Sequence, residues 1–169
     1  STLHGIVAPM FYAALRGAPL ALAYKAVNTL DSMIGHLNER YRNFGFASAK
    51  QDELWNWIPA RLSFFAMVLA VLFIKGRLKE TLVIGWKDGV RAGRGNGAIP
   101  EAVFAGALGL KLGGMNFYEG RTVHKPFLGV SAENFQTKHL LGSLKLMMTS
   151  SWIVLIGSLI LNYGVGFLN

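Results

Sequence analysis

The chain has 169 residues, is 52% hydrophobic, and carries 17 Lys and Arg against nine Asp and Glu, a net charge of +8. Its mean hydropathy of +0.36 is too high for an ordinary soluble domain and predicts an integral membrane protein with polar segments between its spans. The absence of Cys excludes disulfides, Cys-ligated zinc and a thiol nucleophile. Because the basic residues are dispersed between apolar runs, we expect no nucleic-acid binding; loops facing an anionic membrane, or phosphorylated substrates, explain the positive charge.

The first apolar segment, residues 6–24, is about long enough to cross a bilayer, which takes ~20 residues. It is interrupted by Pro9, Arg16, Gly17 and Pro19. The sequence therefore leaves open whether this segment spans the membrane or forms a kinked or partly re-entrant helix.

Residues 25–41 are predicted to form an amphipathic helix. Its apolar stripe comprises Val27, Leu30, Ile34, Leu37 and Tyr41. The opposite stripe comprises Lys25, Asn28, Ser32, Gly35, His36 and Glu39, with Asp31 at its edge. A solvated back face and the lining of a cavity are both compatible with this pattern. The short, amide-rich side chains favour the cavity.

Residues 43–50 are predicted to form a loop, and residues 54–74 to form the clearest membrane span. Two Trp side chains mark one edge of that span, and Pro59 is expected to kink its start. Basic residues accumulate over 75–94, so the positive-inside rule places the segment after the span on the cytoplasmic side.

Residues 100–114 are rich in Gly and Ala. The pairs Ala102/Gly106 and Ala105/Gly109 have the spacing that permits close helix–helix packing. Pro100 suits the first turn of this helix. Residues 115–129 are predicted to form a loop punctuated by Gly and Pro, and residues 144–163 a second strong span.

Chemical motifs are sparse. The run 93–97, GRGNG, is compatible with a phosphate cradle ahead of a helix and with a flexible turn, and the turn is favoured. The carboxylates Asp31, Glu39, Asp52, Glu53, Asp88 and Glu101 are compatible with a Mg²⁺ seat or with ordinary ion pairs. The four His lack zinc-ligand spacing and no nucleophile elbow is present, so a reaction here would depend on positioning and electrostatics.

The segment AYKAVNTLDSMIGHLNERYRNFG, with the later NWIPARL, resembles the adenosylcobinamide-phosphate synthase (CobD/CbiB) family of cobalamin-biosynthesis membrane proteins. The stretches GIVAPMFYAALRGAPLAL, IPEAVFAGALGLKLGGMNFY and VHKPFLG match as well, so the resemblance covers nearly all of the chain. It implies an all-α, multi-pass protein of the cell (inner) membrane. It also implies an ATP- and Mg²⁺-dependent ligase that joins an aminoalcohol, or a phosphate such as aminopropanol O-phosphate, to the propionate carboxylate of adenosylcobyric acid.

Such a reaction predicts roles for the positions that match the family. Contacts to phosphate and propionate are predicted for Lys25, Arg40, Arg61 and Lys125. General-base work or Mg²⁺ binding is predicted for Asp31, Asp52 and Glu101, with Asp31 and Asp52 as the metal ligands. Hydrogen bonds to corrin amides are predicted for Asn28, Asn38, Asn56 and Asn96, and Tyr41 is a further binding position.

The chain also departs from the family pattern. Where members read D-x-x-x-H-x-S-P-N-S-G-W-P-E, it has Ala92, Arg94 and Gly95 in place of His, Ser and Pro, and 97–99 read GAI. An Asp near the family's motif start is His4 here. These departures favour one alternative to the ligase, a non-catalytic regulatory or degenerate homologue. A second alternative, a small transporter whose path the polar stripe would line, also stays open.

Members of the family are also about twice as long. We therefore predict that residues 1–169 form a single membrane domain resembling the C-terminal half of a member. Its expected partners are the lipid bilayer, the two substrates, and the missing N-terminal half or other corrinoid-pathway proteins.

Overall fold

The computed structural model describes residues 2–34, 42–118, 121–130 and 135–166. Its helices are α1 (Ala8–Ile34), α2 (Arg42–Phe73), α3 (Leu78–Ile84), α4 (Ala98–Leu108) and α5 (Thr137–Gly166), and β1 (Leu112–Tyr118) and β2 (Arg121–Leu128) form one antiparallel pair. Single π-helical turns, Leu3–Val7 and Gly85–Val90, precede α1 and follow α3. The predicted helical membrane fold is confirmed, with the strand pair added to it.

Three helical stretches are long and apolar enough to cross a membrane: Leu3–Met33, Gly45–Phe73 and Thr137–Gly164. A hydrocarbon core ~30 Å thick requires ~20 helical residues, so each stretch has length to spare. The segments predicted as spans, 54–74 and 144–163, fall within the second and third of these helices, except for residue 74, which follows the end of α2.

The break expected within residues 6–24 lies at Arg16 and Gly17. Gly17 has φ 71° and ψ −160°, a conformation that glycine adopts far more readily than any residue with a side chain. Pro19 lies in the first turn after the break, where its missing N–H leaves no helical hydrogen bond unmade. The first apolar segment is thus two helical pieces joined at a glycine. Within the predicted amphipathic helix, residues 25–34 are helical and residues 35–41 lie outside the described part of the chain.

The loop predicted for residues 43–50 is wrong, because α2 already begins at Arg42. The Ser48 hydroxyl donates to the Gly45 carbonyl over 3.0 Å, and Lys50 pairs with Glu53 over 2.8 Å, one turn along the helix. Ala, Lys and Gln around these residues are strong helix formers, and they outweigh the single glycine on which the loop prediction rested.

The described residues pack into two compact units, Ser1–Ser63 with Ser151–Asn169, and Phe64–Ser150. The single-domain organisation stays a prediction. In the first unit, α1 and α2 meet through aromatic side chains: the Tyr12 ring lies 5.2 Å from that of Tyr24 and 5.0 Å from that of Trp55. These rings hold the two helices together beside the polar residues described below.

In the second unit, α4 is buried along most of its length against α3 and the π-helical turn that follows it. A Cβ at Gly106 would lie 2.7 Å from both the Glu80 carbonyl oxygen and the Thr81 Cα. The backbones of α3 and α4 therefore touch here, which confirms the close packing predicted for the pair Ala102/Gly106. The helix ends earlier than predicted, because Gly109 caps it with φ 66° and residues 112–114 belong to β1. Pro100 lies in the first turn of α4, as expected.

The loop predicted for residues 115–129 is also wrong, because these residues form most of the β1–β2 hairpin. Gly113 and Gly114, which end the small-residue segment 100–114, form an irregularity in β1 with φ of 109° and 88°. A Cβ on Gly113 would lie 2.5 Å from the Pro126 carbonyl oxygen, so glycine permits the two strands to approach. Leu112 and Leu128 anchor the base of the hairpin on a core of Ile84, Ala102 and Ala105.

Gly106→Ala should destabilise the protein by about 1–3 kcal/mol, since the new methyl group has no space against the α3 backbone. The matched control is Gly157→Ala in α5, where a Cβ meets nothing within 4 Å; there alanine should be neutral or stabilise the helix by up to about 1 kcal/mol. Thermal unfolding in detergent measures both. Equal melting temperatures for Gly106→Ala and the unsubstituted protein would contradict the observed contact.

Candidate functional site

A polar cluster in the first unit is centred on Asp52 of α2. Asp52 Oδ1 accepts a hydrogen bond from Asn28 Nδ2 over 3.2 Å, and Oδ2 lies 3.7 Å from His4 Nε2. The Asp52 side chain is only 13% exposed. The cluster thus joins the π-helical turn before α1, the second half of α1, and α2 around one carboxylate.

Two further hydrogen bonds extend this cluster. Lys25 Nζ donates to Asn28 Oδ1 over 3.5 Å. Tyr24, which is fully buried, donates from its hydroxyl to Asn56 Oδ1 over 2.9 Å, and Asn56 Nδ2 donates to the Asp52 carbonyl oxygen over 2.8 Å. Residues four apart share a helix face, so Tyr24 and Asn28 face the same way on α1, as Asp52 and Asn56 do on α2.

Pro59 explains a third link between α1 and α2. Proline has no N–H, so the carbonyl of Trp55, four residues earlier, loses its helical donor. The Tyr12 hydroxyl donates to this carbonyl over 2.6 Å. In an apolar span an unpaired carbonyl is costly, so Tyr12 stabilises the helix at its proline and fixes α1 against α2.

Arg61 contacts its own helix, whereas Asp31 lies on the side of α1 that carries Asn28. The Arg61 guanidinium lies 3.9 Å over the Trp57 ring, and its NH1 donates to the Trp57 carbonyl over 2.7 Å. It is therefore held along its own helix. Asp31 is partly exposed and lies three residues beyond Asn28, on the same side of α1.

The second unit contains an open pocket of about 320 Å³ between the turn that precedes α4 and the hairpin. It is lined by Arg94, Gly97, Ala98, Glu101, Lys125, Pro126 and Leu128. Lys125 and Arg94 supply positive charge and Glu101 supplies negative charge. A pocket with both signs suits a substrate that carries an anionic group and an amine.

Two contacts fix the walls of this pocket. Arg94 NH1 donates to the Phe127 carbonyl over 2.9 Å, and Asp88 Oδ2 accepts from the Gly129 N–H over 3.0 Å. Gly93 and Gly95 have φ of 64° and 85°, so the GRGNG run is a turn whose shape requires glycine at two places. Its use as a phosphate cradle stays a prediction.

Among the residues that the structure describes, no three His, Asp or Glu side chains are grouped to hold a metal ion. Mg²⁺ binds proteins through as few as one or two carboxylates when substrate phosphates supply the other oxygens. Mg²⁺ binding by Asp31 and Asp52 therefore stays a prediction. It requires a bound phosphate to supply the remaining oxygen ligands.

A family model described as CobD/Cbib protein matches residues 1–147. The chain belongs to the CobD/CbiB family. This membership confirms the resemblance drawn from the sequence motifs.

Named relatives agree with the family assignment. The chain is 44% identical over 156 residues to a protein of Yersinia enterocolitica named cobalamin biosynthesis protein CobD, covering 92% of this chain and 49% of the relative. It is 44% identical over 156 residues to the CobD protein of Listeria monocytogenes, covering 92% and 50%. It is 43% identical over 155 residues to cobalamin biosynthesis protein CbiB of Salmonella typhimurium, covering 92% and 49%. The chain thus spans about half the length of the curated relatives it matches, and no solved structure matches it.

The structure divides the predicted site residues of this CobD/CbiB chain between its two units. Lys25, Asn28, Asp52 and Asn56 meet in the first unit, while Glu101 and Lys125 meet at the pocket of the second, next to the turn that contains Asn96. Asn38, Arg40 and Tyr41 lie outside the described residues.

Sequence reasoning did not select His4 or Tyr24 as site residues. It named Asp88 only among the carboxylates compatible with a Mg²⁺ seat, and Arg94 only within the GRGNG run. Tyr24 could have been found, because it lies one helical turn before Asn28 on the same face of α1. The positions of His4 and Arg94 depend on a π-helical turn and on a contact with a distant strand, for which the sequence carries no local signal.

Tyr12→Phe should cost about 1 kcal/mol of stability, since it leaves the Trp55 carbonyl without its donor. In a Pro59→Ala background the restored N–H at position 59 can donate to the same carbonyl, so the cost of Tyr12→Phe should fall to less than half. A double-mutant cycle by unfolding in detergent measures this coupling. Equal costs in the two backgrounds would contradict the compensation between Tyr12 and Pro59.

Proposed function

We propose that this chain acts in cobalamin biosynthesis as part of an ATP-dependent, amide-forming ligase. The reaction attaches aminopropanol, or its phosphate, to the propionate carboxylate of adenosylcobyric acid and gives adenosylcobinamide or its phosphate. Membership of the CobD/CbiB family and the names of its relatives support the pathway. The activity is that of the whole protein, because the relatives are about twice as long as this chain.

The observation that carries the proposal is the convergence of three chain segments on Asp52. An amine attacks a carboxyl carbon only after it has lost its proton, and a carboxylate is a suitable acceptor for that proton. Asn28 holds one carboxylate oxygen and His4 lies beside the other. Because both oxygens are oriented and the side chain is mostly shielded from water, the carboxylate is positioned before substrate binds.

The residues present fit Mg²⁺ and ATP in charge and donor type. Asp52 uses only part of its acceptor capacity on Asn28 and His4, which leaves lone pairs for a cation. Asp31, on the same side of α1 as Asn28, is the second carboxylate that a Mg²⁺ bound mainly through phosphate oxygens would use. When bound, ATP would supply the leaving group that an unactivated carboxylate lacks.

Lys25 is one turn from Asn28 and brings positive charge to the same cluster, where it suits a phosphate or propionate. Lys125 and Arg94 do the same at the pocket of the second unit, with Glu101 available to an amine. Asn96, in the turn beside this pocket, and Asn28 have the amide chemistry to pair with corrin amides.

In this proposal Asn56 and Arg61 contact other groups of the protein rather than the substrates. Asn56 is buried and spends its amide on Tyr24 and on the Asp52 backbone, so it positions Asp52. Arg61 is held against Trp57.

We also propose that the protein is a multi-pass protein of the cell (inner) membrane. Three helices have the length and composition for this.

Asp52→Asn in the full-length protein should abolish amide formation, because the amide side chain keeps the size of the carboxylate but neither accepts the amine proton nor attracts a cation. The matched control is the neighbouring Glu53→Gln. Glu53 is exposed and pairs with Lys50, so this variant should keep most of its activity. Turnover is measured by chromatography of adenosylcobinamide phosphate. Full activity of Asp52→Asn would remove Asp52 from the site.

ATP consumption tests the reaction itself. Full-length protein should hydrolyse ATP only when adenosylcobyric acid and an aminoalcohol phosphate are both present. Corrinoid binding without any turnover would instead indicate a non-catalytic homologue. The altered segment 92–99 is the sequence feature that favours this alternative. Gradient-dependent uptake of a solute would indicate a transporter.

A further inference from the structure

One face of the β1–β2 hairpin exposes large apolar side chains. Met115 and Phe117 point to the same side of β1 and are 69% and 77% exposed. Their cross-strand partners are His124 and Thr122. These four residues are called the hairpin face below. Side chains of this size are rarely left in water next to one another, so the exposure indicates a surface that another phase or molecule covers.

The second unit itself does not cover the hairpin face. Leu112 and Leu128, at the base, reach the core of Ile84, Ala102 and Ala105. Beyond the base, the opposite face carries Lys125 and Asn116, and the contacts of α4 with the two strands are few. The hairpin is therefore anchored at one end and projects from the unit at the other.

The chain tethers this hairpin to a helix that is long and apolar enough to cross a membrane. Only residues 129–136 separate β2 from α5, a connection that reaches ~30 Å even when fully extended. Phe73 ends one candidate span and Thr137 begins the next, so two helices that cross the bilayer would return the segment between them to the surface where it starts.

Exposed apolar side chains continue along the chain from the hairpin to α5. Val130 and Phe135 are exposed in the connection, and Leu140 and Leu141 are exposed in the first turns of the helix. The apolar surface of α5 is suited to lipid, so the hairpin face extends, in sequence, a surface that already belongs in the bilayer.

Basic residues in and beside the hairpin give it a net positive charge, which an anionic membrane surface attracts. The sequence carries Lys111 just before β1, and Arg121 and Lys125 on the face opposite to the hairpin face, against a single Glu119. The Lys111 ammonium lies 4.0 Å over the Phe127 ring, so cationic and aromatic groups adjoin on the hairpin. Basic side chains with aromatic neighbours are typical of segments that lie in the headgroup region of anionic membranes.

We propose that the hairpin face lies in the headgroup region of the bilayer and binds an anionic lipid surface. Met115 and Phe117 enter the boundary between headgroups and acyl chains, and Lys111, which precedes β1, pairs with anionic headgroups. The hairpin then anchors the second unit at the membrane independently of the chemistry proposed above. In doing so it would hold the adjacent pocket, lined by Lys125 and Pro126, at a fixed depth.

This chain has no cysteine, so a background-free test in the full-length protein needs only that any cysteines outside the chain be replaced by serine. Single variants Phe117→Cys and Met115→Cys, each labelled with bimane, are reconstituted into nanodiscs of phosphatidylcholine with or without phosphatidylglycerol. Asn116→Cys, on the opposite face of the same strand, is the matched control. Quenching by a shallow doxyl lipid reports lipid contact, and quenching by iodide reports water.

Doxyl quenching at positions 115 and 117 should exceed that at 116 by about twofold or more and should rise with phosphatidylglycerol, while iodide quenching should be stronger at 116. Strong iodide quenching at both 115 and 117 would overturn the proposal, because it would place the face in water. Weak quenching by both agents would overturn it too, since the face would then be covered by protein, either a second copy or further polypeptide. Lipid contact that does not change with phosphatidylglycerol would overturn the preference for anionic lipid.

Discussion

Asp52 is a carboxylate within a helix that is long and apolar enough to cross a membrane, and an ionisable group there is expensive unless other polar groups solvate it. Asn28 donates a hydrogen bond to one of its oxygens, and His4 Nε2 lies 3.7 Å from the other. Meeting this requirement brings the start of the chain, the second half of α1 and α2 together. The same demand recurs at the Trp55 carbonyl, which Pro59 deprives of a donor and Tyr12 supplies with one.

The second unit follows a different constraint, the close approach of backbones. Because Gly106 has no side chain, the α3 backbone can approach α4 closely. Gly113 likewise lets the two strands of the hairpin approach each other. With α4 and the hairpin fixed in this way, Arg94, Glu101 and Lys125 meet around one pocket. A reaction between an anionic acid and an amine needs groups of both signs, and each unit offers such a set.

Much of this fold was predictable, and the failures have specific causes. Apolar runs revealed two spans because length and hydrophobicity suffice for that inference, and Gly17 marked the break in α1. Gly45 misled, because a glycine inside a helix looks the same in sequence as a glycine in a loop. The period of α1 put Lys25 and Asn28 on one face, but their partner Asp52 lies far along the chain. The sequence identified Asp52 as a site residue through the family motif, and before that only as one of several carboxylates. No sequence feature identified His4 as a site residue.

Proximity of Asn28 to Asp52, and its dependence on substrate, tests the central claim most directly. The full-length protein, with any cysteines outside this chain replaced by serine, would carry Asn28→Cys and Asp52→Cys and be treated in membranes with a short bifunctional thiol reagent. The account predicts an efficient cross-link that adenosylcobyric acid slows. Failure to cross-link would contradict the cluster, and an efficient cross-link unaffected by saturating adenosylcobyric acid would contradict its role as the substrate site.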